Sequence, residues 1–88
     1  MSLKTADQIL EDINKAVRAP VGCRVTIAEI NNPMVNWVAR SGEMPWDATA
    51  RFELAIARLR KANPIIDWRD IPKAEGHRRM VAKWFSCR

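Results

Sequence analysis

The fold turns on residues 23–40: Cys23-Arg24-Val25-Thr26-Ile27-Ala28-Glu29-Ile30, then Asn31-Asn32-Pro33, then Met34-Val35-Asn36-Trp37-Val38-Ala39-Arg40. The first run alternates. Cys23, Val25 and Ile27 point one way, and Arg24, Thr26 and Ala28 the other, as side chains do along a strand. Its β-branched content favours a pleated surface. Asn31-Asn32-Pro33 is a turn signal, because Asn tolerates left-handed backbone and Pro cannot continue a ladder. The second run alternates again, with Val35, Trp37 and Ala39 on one side. Together they predict an antiparallel β-hairpin over 23–40, its inner face packed on helices. Val38-Ala39-Arg40-Ser41-Gly42 before a helix offers a rival, a helix-turn-helix. Its small residue and turn glycine stand three apart instead of four, and Pro33 with the β-branched run before it opposes the rival.

Working outward, residues 5–19 predict a helix. Thr5 and Gln8 have capping-box spacing, and Ala6, Ile9, Leu10, Ile13, Ala16 and Val17 form one apolar stripe. Pro20 and Gly22 stop it. On the other side, residues 47–62 predict a central helix, entered through Pro45 or capped by Asp47 and ended by Asn63-Pro64. Its core face holds Ala48, Phe52, Ala55, Ile56, Leu59 and Ala62, while Ala50, Leu54 and Ala57 lie opposite. Residues 65–71 read as a short extended segment, with Pro72 to Gly76 a turn or helix start. Residues 77–87 read as a C-terminal helix with His77, Met80, Val81, Trp84, Phe85 and Cys87 on one arc. The predicted fold is one α+β domain over 1–88: helix, hairpin, central helix, extended segment, C-terminal helix, with a single layer of helices on a small sheet. The expected core is Ile9, Ile13, Val17, Val25, Ile27, Val35, Trp37, Phe52, Ile56, Leu59, Val81 and Trp84. Trp46 and Trp68, in loop-like contexts, are the expected exposed pair.

Eighty-eight residues support one modest core and no deep enzyme cleft. The net charge of +5 is lopsided. Residues 1–50 carry five Lys/Arg against six Asp/Glu, a balance of −1, and residues 51–88 carry ten against four, a balance of +6. Such asymmetry suits a polyanionic partner, whether nucleic acid, an anionic membrane surface or an acidic protein face, although a soluble domain with Arg-rich solvated faces is at least as common a source of it. No apolar run approaches the ~20 residues of a membrane span, and no signal-peptide apolar region stands at the start. A cytoplasmic protein with reduced Cys23 and Cys87 is therefore expected.

The residues argue against catalysis. His77 is the single histidine, and Ser2, Ser41 and Ser86 have no base at a telling spacing. No zinc spacing includes the two cysteines, the glycines are isolated so that no phosphate-cradling loop forms, and Asp67 and Asp70 fall on opposite sides of an extended segment. No cofactor, metal or small-molecule substrate is expected.

Val35-Asn36-Trp37-Val38-Ala39, Arg51-Phe52, Leu59-Arg60-Lys61, Pro64-Ile65-Ile66-Asp67-Trp68, Arg78-Arg79 and Trp84-Phe85 resemble a group of short uncharacterised alphaproteobacterial proteins with an "NW" strand, a basic helix and an "IDW" segment. The resemblance covers residues 30–86. It implies a small, bacterial, non-enzymatic domain and carries no site residue.

What remains is a binding module. The first expectation is a protein-interaction or oligomerisation domain. A two-stranded sheet has open edges that invite pairing, so two copies joining hairpins into a four-stranded sheet would give a homodimer, with Ala50, Leu54 and Ala57 as a further contact strip. The alternative is a nucleic-acid-binding protein whose basic surface holds Arg51, Arg58, Lys61, Arg78, Arg79 and Lys83, with tryptophans for stacking. A third option, the last helix as a membrane-surface anchor, conflicts with the need for Trp84 and Phe85 in so small a core.

Overall fold

Thr5 begins the first helix as its sequence spacing demands. Its hydroxyl accepts the Gln8 N–H at 3.2 Å, and the Gln8 side chain accepts the Thr5 N–H at 3.0 Å. Such a cap stabilises a helix by about 1 kcal/mol. A computed structural model describes residues 3–18, 23–72 and 78–85. Helix α1 runs Ala6–Val17 and ends on Arg18 in the left-handed region (φ 52). Of its stripe, Ala6, Ile9, Leu10, Ile13 and Val17 are fully buried while Ala16 is exposed, and each large aliphatic side chain so buried contributes about 1.5–3 kcal/mol. The stop signals Pro20 and Gly22, with residues 73–76, His77, Cys87 and Arg88, lie outside the described residues.

The hairpin forms as predicted. Strand β1 (Cys23–Glu29) pairs antiparallel with β2 (Trp37–Ser41), Glu29 opposite Trp37 and Val25 opposite Ser41. In the turn, the Asn32 side chain accepts the Met34 N–H at 2.8 Å. The second strand starts at Trp37, three residues later than its alternation suggests, because Asn36 is committed elsewhere. Its side chain holds Ile66 at both ends, Nδ2 donating to the Ile66 carbonyl and Oδ1 accepting the Ile66 N–H, each at 2.9 Å. The Asn36 N–H goes to the Pro64 carbonyl.

Helix α2 (Trp46–Ala62) buries Ala48, Phe52 and Ala55, with Ile56 and Leu59 half-buried against the core, while Ala62, expected on that face, is exposed. Its N-cap position is Pro45, which makes no side-chain cap. Asp47 instead serves the first turn's dipole. The extended segment expected over 65–71 is shorter, confined to residues 66–68, and Arg69 and Asp70 form a turn. Asp67 bridges Thr5 in parallel, and its N–H donates to the Lys4 carbonyl.

The C-terminal helix is corrected to a strand, β3 (Met80–Phe85). It pairs antiparallel with the other edge of β1, giving a three-stranded sheet in the order β2-β1-β3. The run Met80-Val81-Ala82-Lys83-Trp84 fits helical and strand spacing alike, and periodicity alone cannot separate them. The hydrogen-bonding demand of β1 decides it, because a central strand must satisfy backbone groups on both sides. Val81, expected in the core, packs against it from a half-buried position.

Two tryptophan expectations are also corrected. Trp84 is 66 % exposed instead of buried. Trp68 is 3 % exposed instead of solvated, because it lies two residues from buried Ile66, on the same side of the extended segment, and its Nε1 donates to the Asn36 carbonyl at 3.2 Å. Trp37, fully buried, and Trp46, 84 % exposed, stand where expected. Among the described residues no helix is long and apolar enough to cross a membrane.

Candidate functional site

The six cations expected to form a basic surface divide among separate places. Arg51 ties the two helices together. Its Nε donates to the Val17 carbonyl at 2.9 Å, satisfying an orphan group at the end of α1, and its Nη1 meets Asp47 at 3.3 Å. Arg58 borders the same interhelical groove, beside Leu54, Leu59 and Asp12. Lys61 is exposed on the last turn of α2. Arg79 lies in another cleft, 3.8 Å from Glu29, with Asn36, Trp68 and the Asp67–Arg69 pair around it. In that pair the Arg69 side chain and then its backbone N–H hydrogen-bond the Asp67 carboxyl and hold its pKa down at about 2. Arg78 is exposed two residues before β3. Lys83, opposite Val25, takes a position on the helix-covered side of the sheet, yet is exposed because β3 is an edge.

The strip Ala50, Leu54 and Ala57 also separates. All three are exposed, but Leu54 borders the α1–α2 groove while Ala57 borders a groove between α2 and β2.

A different surface emerges from strand parity. Cys23, Val25 and Ile27 are buried under the helices. Their alternates, Arg24, Thr26 and Ala28, therefore lie on the opposite side of the sheet. Register extends that side into three rows across the strands. Val38, Ala28 and Met80 form the first, and Arg40, Thr26 and Ala82 the second. In the third, Arg24 lies opposite Trp84. Met80 is 60 % exposed, and Arg24 and Arg40 are exposed with no ion pair among the described residues. None of these eight residues is acidic.

The hydrogen-bond phase sets Arg24 and Trp84 closely across from each other. Gly42 N–H donates to the Arg24 carbonyl and Ile30 N–H to the Asn36 carbonyl, so the even residues of β1 bond to β2. Arg24 and Trp84 therefore form a non-hydrogen-bonded pair, in which facing side chains stand closest. The electron-rich face of an indole attracts a guanidinium within reach of it, and the arginine makes the local potential positive. From Trp84 to Arg40 the sheet spans about 12 Å.

Arg24 and Arg40 were absent from the expected site. Their signal was the alternation of residues 23–28 and 37–40, which already set them away from the core. Among the described residues no three His, Cys, Asp or Glu side chains converge as a metal site would require. Cys23 is buried, and Cys87 lies outside the described residues. No protein-family model matches the chain, and neither a curated protein nor a solved structure matches it.

Proposed function

We propose that the protein is a non-catalytic binding module that holds single-stranded nucleic acid on the open face of its sheet. The observation that carries this reading is the bare face itself: an exposed Trp84 across from Arg24, a second cation in Arg40 with no ion pair among the described residues, and no carboxylate among the eight residues. A base stacks on Trp84, an interaction worth about 1–3 kcal/mol and open to any base. Arg24 and Arg40 take the flanking phosphates, and Met80 and Val38 offer apolar surface to the next base or sugar. A shallow, three-strand-wide platform suits unstacked bases better than a duplex, whose bases are not available for stacking. The net charge of +5 supports the encounter at long range.

Titration of a short oligonucleotide, followed by tryptophan fluorescence at several salt concentrations, tests this. Single strands should bind better than duplex. The affinity should fall with a log–log salt slope of about −1.4, as expected for two phosphates neutralised on a single strand. Trp84→Ala and the Arg24→Ala/Arg40→Ala pair should each weaken binding roughly tenfold or more, whereas Lys61→Ala should leave it within about twofold. Binding that ignores both changes, or is salt-independent, overturns the proposal.

A further inference from the structure

The two edges of the sheet are built differently. On β3, Lys83 takes an inner-side position, and an inward-pointing charge is a standard guard against strand pairing. No such guard stands on β2. Because the even residues of β2 bond to β1, the N–H and C=O groups of Trp37, Ala39 and Ser41 point outward. None of these backbone groups has a hydrogen-bond partner among the described residues. Beside this edge runs an open groove lined by Ala39, Ser41, Phe52, Glu53, Ala57 and Arg60.

The helix wall of that groove is self-complementary. Glu53, Ala57 and Arg60 fall within one narrow stripe of α2, since four and seven residues are about one and two turns. Neither Glu53 nor Arg60 has an ion-pair partner among the described residues, and the Arg60 Nε is buried without a hydrogen bond. The helix runs back along β2. Near one end Trp37 Nε1 donates to the Asn63 carbonyl at 2.7 Å, and near the other Ser41 shares the groove with Thr49. Ala39, midway along β2, is therefore level with the middle of α2 near Ala57, halfway between Glu53 and Arg60.

We infer that the groove is filled by a second copy of this chain, related by a two-fold axis beside Ala39. In that arrangement Ala39 pairs with the partner's Ala39 through two backbone hydrogen bonds, and Trp37 pairs with the partner's Ser41. The two sheets become one of six strands. Antiparallel α2 helices approach over the small Ala57, and Glu53 of each copy meets Arg60 of the other. On the open face Arg40 falls opposite the partner's Val38, so no like charges are opposed, and the two bare faces become continuous. A closed two-fold contact of this kind uses the same patch on both subunits.

Sedimentation velocity of the full chain at rising concentration should show a monomer–dimer equilibrium. Glu53→Arg alone or Arg60→Glu alone should raise the dissociation constant by at least roughly tenfold, because each sets like charges together. The double exchange, Glu53→Arg with Arg60→Glu, should restore dimerisation to within about threefold of the parent. Ala39→Pro should also abolish the dimer. Its missing N–H faces outward, so the pairing with β1 is kept, which circular dichroism checks. A chain that stays monomeric up to millimolar concentration overturns the inference. So does a dimer unmoved by the single charge reversals, or one not restored by the double exchange, whatever Ala39→Pro does to the fold. The oligonucleotide test stays separable, because Trp84 and Arg24 lie away from the β2 edge, where Arg40 and Val38 adjoin the dimer contact.

Discussion

Trp37 and Trp84 occupy strands of the same sheet, each paired with β1, and meet opposite fates. Trp37 lies opposite Glu29, in phase with buried Val25 and Ile27, and is fully enclosed, its indole N–H satisfied by the Asn63 carbonyl. Trp84 lies opposite Arg24 and is left 66 % exposed. One step of parity separates a core residue from a surface one, because a strand's side chains change sides at every residue. The two helices cover one side of the sheet, α1 supplying a continuous apolar stripe and α2 a shorter one, and nothing among the described residues covers the other. An indole on the bare side forgoes the burial that stabilises its counterpart in the core.

The largest effect that would break the contrast is at Trp37. Trp37→Ala should cost about 3–5 kcal/mol, combining lost burial with a cavity and an unpaired Asn63 carbonyl. In a domain of this size that is a fall in melting temperature of at least roughly 12 °C, close to complete unfolding at moderate temperature. A melt shifted by only a few degrees would mean that the hairpin does not anchor the core.

Next comes the neighbour that holds the hairpin to the rest of the chain. Asn36 joins β2 to the segment carrying Ile66 and Trp68, and its amide satisfies both backbone groups of Ile66. Asn36→Ala leaves those groups unpaired next to buried Ile66, at a cost of about 2–3 kcal/mol in denaturant midpoint experiments. Native-state hydrogen exchange should show the Ile66 amide losing protection before the amides of β1 do. Equal loss everywhere would place this segment within the global folding unit and blur its distinction from the hairpin.

Much of this contrast is legible in residue order and some is not, for identifiable reasons. The capping box at Thr5 and Gln8, the stripe of α1, the alternation of β1 and the buried position of Trp37 are local patterns, and local patterns survive folding. The same alternation held the information that Arg24 lies away from the core. The strand at residues 80–85 was hidden because a short apolar run satisfies both periods. What selects the strand is the vacant side of β1, more than fifty residues earlier, a non-local demand no window contains. Once residues 80–85 are taken as a helix, Trp84 must be assigned to a core and the open face disappears from view. Trp68 failed for a related reason. Its burial depends on Asn36, whose amide gives no sign in sequence of what it will bind. The cations were counted correctly, but charge is summed along the chain while surfaces are assembled across it, so Arg51 became a helix tie and Arg79 a partner of Glu29.

The smallest stability effect gives the sharpest test. Trp84→Ala removes as large a side chain as Trp37→Ala does, from the same sheet, and should change stability by no more than about 0.5 kcal/mol, the usual range for an exposed position. What it loses is a cross-strand contact with Arg24 and some β propensity at an edge, terms of a few tenths of a kcal/mol each. If the variant melts with the parent and yet no longer binds an oligonucleotide, the indole is kept on the surface for its partner. If it melts far below the parent, Trp84 supports the fold, the bare face is covered in solution, and the division between the two tryptophans is not one between fold and function.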